Sequence, residues 1–185
     1  MTHRHLTIAA AFGLFTSLSM AVAATALLNS DNLVDVVRAS TAQYRDPAAA
    51  TDAGWLSAQS CVSGPQEGAM GVHFVKGPLV FDGELDATTP EAIIYEPLRN
   101  GRMRLVGVEF IVPADLWHAN HAAPPVLHGQ HFHLVGAPNR YGLPAFYELH
   151  VWAWQHNPSG TFADWNPTVA CDEYPSIEYE SAHAH

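Results

Sequence analysis

The sequence predicts an α+β fold, a curved antiparallel sheet of about five strands packed against N-terminal helices. Apolar residues recur at helical spacing between Leu33 and Tyr44, whereas from Gly71 onward they alternate as on half-buried strands. Two turn signals, Asn100-Gly101 and the Gly/Pro/Asn-rich run 136–144, reverse the chain between such segments.

In chain order, Ser30 or Asp31 is placed to cap a first helix that gathers Leu33, Val36, Val37 and Tyr44 on one face and turns Asp35 and Arg38 elsewhere. Asp46-Pro47 supplies an N-cap and a first-turn proline for a second helix, with Gly54 as its stop. The glycine-rich text CVSGPQEGAMG, residues 61–71, reads as a loop. Residues 71–76 alternate around His73 as a short strand. The acidic stretch 77–90 is rich in turn residues. Residues 92–96 and 103–112 then form a hairpin about Asn100-Gly101, a pair suited to a type I′ turn, and Arg99, Arg102 and Arg104 crowd its tip as a solvated patch offsetting nearby acids. Pro113 ends that strand and 114–120 carries a helical turn. A second hairpin joins 130–135 to 145–154. Asn-Pro pairs mark turns beyond it, and a flexible tail starts at about residue 175.

Residues 1–23 read as a signal peptide: Arg4 precedes an apolar run that ends in the small-x-small site Ala21-Val22-Ala23. Cleavage leaves residues 24–185 as a single exported domain, periplasmic or extracellular, with no membrane attachment. Loss of Arg4 takes the formal charge of −10 one unit further negative, which repels nucleic acid and anionic membranes. With 48% hydrophobic and 14% charged residues, the chain has the composition of a folded globule. Cys61 and Cys171, the two cysteines, are expected to pair in an oxidising compartment.

The chemistry concentrates in the second hairpin. Alternate strand residues share a face, so His131 and His133 point one way, as do Glu148 and His150. Pairing His131 with His150 puts His133 opposite Glu148, and three imidazoles converge with one carboxylate. A one-residue slip destroys this arrangement. Three neutral imidazoles with a vacant fourth position suit a catalytic zinc, and the expected cofactor is one transition metal ion, zinc favoured over copper. Only Met70 and Met103 follow the leader, which gives copper little soft-ligand support. Glu148 takes the role of accepting the second ring N–H of a ligating histidine. Glu109, a carboxylate amid the apolar run VGVEFIVP, needs solvent or a metal, histidine or arginine partner, and stands as a possible ligand or orienting group. His73 is either a fourth imidazole of the cluster or a hydrogen-bonded structural histidine. His128 lies before the predicted strand and outside the set.

Two resemblances accompany these motifs. HFH followed by YELHVW resembles the metal-binding hairpin of α-type carbonic anhydrases, which implies His131, His133 and His150 as zinc ligands and Glu148 orienting His150; the likeness covers this hairpin alone. The segments CVSGPQEGAMGVHF, LVGVEFIVP, GQHFHLVGAPNRYGLPAFYELHVWAW and NPSGTFADWNP resemble a group of secreted bacterial proteins of unassigned function, which implies one exported domain and no particular activity. The expected function is therefore metal binding at a mononuclear three-histidine site, with hydration or hydrolysis of a small molecule as the chemistry such a site offers. The rival expectations are a metal-free small-molecule binding module and a structural or interaction protein.

Overall fold

The computed structural model describes residues 32–174 together with 176–177. The expected leader, the caps at Ser30 and Asp31, and the last residues of the tail lie outside them.

Helix α1 (Leu33–Thr41) begins where the Asn32 side chain accepts a hydrogen bond from the Val34 N–H, and it continues as a 3₁₀ turn over Ala42–Arg45. Helix α2 (Pro47–Asp52) is capped by Asp46, whose side chain accepts from the Ala48 N–H, with proline at the first turn as its sequence implies. Gly54 follows at φ +97°, the left-handed stop that glycine adopts without a Cβ penalty.

The fold is α+β, with an open, largely antiparallel sheet as expected. Its strands are β1 (Leu56–Gly64), β2 (Gly68–Val75), β3 (Ala92–Pro97), β4 (Met103–Pro113), β7 (His133–Val135), β8 (Phe146–Val151) and β9 (Ser176–Ile177). They lie in the order β7-β8-β4-β3-β2-β1-β9. Every pairing is antiparallel except that of β9 with β1. Two short strands, β5 (Val126–Leu127) and β6 (Gln130–His131), form a separate ladder. Short helices α3 (Gly77–Val80) and α4 (Ala114–His118) join the larger elements.

Among the described residues the sheet has seven strands rather than about five, because two segments pair that lack an alternating pattern. The stretch 61–71, expected as a loop, is the β1–β2 hairpin. Its glycines let backbones approach: a Cβ on Gly68 would lie 2.3 Å from the Asn166 carbonyl oxygen, and one on Gly71 would lie 2.7 Å from that of Tyr95. Ser176 and Ile177, expected in the tail, run parallel to Cys61 and Val62. The Cys61–Cys171 disulfide ties that arm to β1. Such a bond fits an oxidising compartment, and among the described residues no helix is long and apolar enough to cross a membrane.

Alternation sorts the two faces. Leu33 and Val37 of α1 pack with Val108, Phe110, Val112, Tyr147, Leu149 and Val151 in one buried cluster. Burying a side chain such as Phe110 contributes roughly 2–3 kcal/mol of transfer free energy. Polar ties fix the helix: Arg38 Nε donates to the Ala153 carbonyl at 2.6 Å, and Trp154 Nε1 donates to Thr41 Oγ1 at 3.0 Å. The opposite face of the sheet, left uncovered by α1, carries the polar cluster.

Candidate metal centre

The ladder builds the site by register. Ala92 pairs with Glu109, and Glu109 with His150; one step of two residues along, Ile111 pairs with Glu148, and Glu148 with His133. Val75 pairs with Ala92, so His73, two residues before Val75, shares their face. Strands β2, β4, β7 and β8 thus deliver His73, Glu109, His133, Glu148 and His150 to one side.

His73 Nε2 lies 3.2 Å from Glu109 Oε2, and the His73 and His150 rings meet edge to face with centroids 6.0 Å apart. One donor atom from each of His73, Glu109 and His150 lies within 4.8 Å of the others, a spacing that one metal ion can span. Glu148, His150 and Asp164 form a second such group around the same histidine. His150 is 0% exposed, and neither of its ring nitrogens has a hydrogen-bond partner. Its Nδ1 stands 3.8 Å from Asp164 Oδ1, too far for a hydrogen bond.

Burial dominates the electrostatics. It lowers His73 to about 4, although Glu148 and a backbone hydrogen bond at Gly71 act in the opposite sense. It holds His150 well below its usual range, helped by His73 and His133. Both rings are therefore neutral at neutral pH and offer a nitrogen lone pair, the form a metal binds. Burial also raises Glu109 and Glu148, which hydrogen-bond each other side by side, and Asp164 pushes both further up. This excess of buried acid is the environment a cation would relieve.

The expected register is partly present. His133 does face Glu148, but His131 leaves the ladder before reaching His150. His128 and Gly129, at φ +48° and +78°, make a two-residue turn that folds Gln130 and His131 back onto Val126 and Leu127. Phe132 then enters the core on the α1 side, and the chain changes partner there. His131 is exposed and belongs to neither ligand group among the described residues. The convergent set is thus His73, Glu109 and His150 rather than His131, His133 and His150. His133 reaches the centre indirectly, its Nδ1 lying 2.9 Å from Asp164 Oδ1.

Glu109 and His73 stand out in the sequence pattern, one as a carboxylate in an apolar strand and the other as a histidine in an alternating one. Asp164 carried no such signal. It sits in the irregular arm after β8, brought in where Trp152 Nε1 donates to the Ala163 carbonyl at 2.6 Å and the Trp152 N–H to that of Thr161 at 3.0 Å.

Beside the cluster lies a cleft of about 310 Å³. Its wall includes His73 and Glu109, with Arg140 and Tyr141 from the 136–145 connection, Ser60, and a largely apolar remainder. The chain matches no protein-family model, no curated protein and no solved structure.

Proposed function

We propose that this is an exported metalloprotein whose His73, Glu109 and His150 hold one transition-metal ion, zinc in preference to copper. The observation that carries the reading is the fully buried His150 imidazole, which has no hydrogen bond at either nitrogen while a second neutral imidazole and a carboxyl group stand beside it. A buried polar ring without partners costs roughly 1–3 kcal/mol, and a metal bond removes that cost. Two histidines and one glutamate are a known donor set for catalytic zinc, which keeps another position open. Copper is the weaker fit because neither group contains sulfur; the Met70 thioether instead lies 3.6 Å from the Tyr141 hydroxyl.

His73 and Glu109 line the cleft, whereas His150 is fully buried, so the cleft is the side from which a small molecule would approach an ion held by the three. A bound ion would supply Lewis-acid polarisation and water activation there, the basis for hydrolysis or hydration of a small molecule. Asp164 and Glu148 are the carboxyl groups placed to orient His150 or to complete its metal's coordination.

Elemental analysis of tag-free protein, with zinc, copper and iron read together, tests the assignment. One equivalent of metal in the wild type and its loss in His150→Ala are expected. A protein that neither carries metal nor takes up zinc tightly refutes the reading.

A further inference from the structure

We infer that the cleft beside the metal centre is a substrate site for a small acyl compound, an ester or amide with an apolar body of limited length. This rests on the metal reading above and adds to it the class and size of the substrate.

The polarity of the cleft is divided. Ala58, Val62, Val75, Ile111, Leu143 and Phe146 supply apolar surface, while His73 and Glu109 bring the metal-binding edge to the same space. A ligand that fits both parts carries one polar group able to meet a metal and a hydrocarbon remainder. A volume of about 310 Å³ corresponds to roughly ten water volumes at about 30 Å³ each, and so to a ligand of about ten non-hydrogen atoms. Phosphate esters fit poorly, because besides His73 the lining holds a single basic side chain for a polyanion to pair with. Arg140, the cation on the lining, is engaged by structure, with Nη2 donating to the Ser63 carbonyl at 3.1 Å and its guanidinium over the Trp165 ring. An uncharged acyl carbonyl suits the metal edge, and its chain suits the apolar wall. Hydrolysis would join a water oxygen to the acyl carbon as the bond to the leaving oxygen or nitrogen breaks. One water proton then goes to the leaving group, and the acid product releases the other.

Straight-chain hydroxamates, which chelate metal through an acyl head, probe this in the full chain loaded with Co(II). The visible spectrum of Co(II) reports both metal uptake and hydroxamate binding. From acetohydroxamate upward, each added methylene should tighten binding about three- to fourfold, the value of one buried methylene. The gain should stop near the eight-carbon acyl chain, where the cleft is full. Ala58→Phe, at an exposed lining position, should move that limit to shorter chains, and Leu143→Ala should weaken the long hydroxamates while sparing acetohydroxamate. Both variants should keep wild-type Co(II) affinity. Failure to take up Co(II) overturns the metal reading and this inference together. Co(II) uptake with no chain-length dependence, or with a dependence indifferent to both variants, overturns the substrate inference and leaves the metal centre standing.

Discussion

Glu109 of β4 and His150 of β8 are direct partners across an antiparallel ladder, and both are buried on the face turned away from α1. Their closeness is imposed by backbone pairing and does not depend on ordering a loop. If these residues and His73 bind the ion, His150→Ala should abolish tight binding. Asp164→Asn should weaken it about 10- to 100-fold, the usual effect of removing a group that orients a ligand. His131→Ala should leave it unchanged, because His131 sits in the β5–β6 ladder. Titration calorimetry with zinc reads all three, and a large effect of His131→Ala would contradict the ligand assignment.

Glu91 should set part of the pH dependence of stability. It is buried, its Oε2 accepts from the Ile111 N–H at 2.9 Å, and burial raises its carboxyl from 4.5 to about 8. The folded state keeps this proton where the unfolded chain has lost it. The contribution is therefore complete below about 4.5 and is lost as pH rises through about 8. One retained proton gives a slope of up to about 1.4 kcal/mol per pH unit in that window. Glu91→Gln keeps an acceptor for Ile111 and cannot ionise, so urea melts between pH 5 and 8 should show a shallower loss than wild type, by about that slope. Equal slopes would show that Glu91 does not carry the effect.

The disulfide closes a loop of 110 residues, for which chain entropy gives about 4 to 5 kcal/mol of stabilisation. Replacing both cysteines with alanine should lower the unfolding free energy by roughly that amount. The loss should fall on the β1–β9 pairing, where hydrogen exchange of the Cys61 and Val62 region would register it.

Gly68 and Gly136 make a contrasting pair. Gly68 has φ +90°, and a Cβ there would press on Asn166 and Pro167 backbone atoms at 2.3 and 2.4 Å. Gly68→Ala should cost at least about 2 kcal/mol and weaken the Ala69–Asn166 bridge. Gly136 has no heavy atom within 4 Å of such a Cβ, and Gly136→Ala should change the midpoint of a denaturant melt by less than about 0.5 kcal/mol equivalent.

Local patterns in the chain were enough to foresee several elements. The Asp46-Pro47 start and the Gly54 stop bound α2. Asn100 and Gly101 both adopt the positive φ that their turn requires, at 79° and 72°. The parity of His133 with Glu148 and the Cys61–Cys171 bond also follow the pattern of the residues. Each of these rests on a short-range rule: a cap, a turn conformation, a period of two, or the pairing of two exported cysteines.

By itself, then, the sequence determined the α+β class, the faces of the strands and the histidine-bearing hairpin. Tertiary structure decided which strands are neighbours and which histidines meet. A period of two tells which side a residue faces but not which strand lies beside it, because ladder order depends on non-local packing. β4 lies between β3 and β8, and that order brings Glu109 to His150 and lets His73 approach from β2. The turn at His128–Gly129 withdraws His131, and the arm after β8 delivers Asp164 from a segment with no periodicity at all.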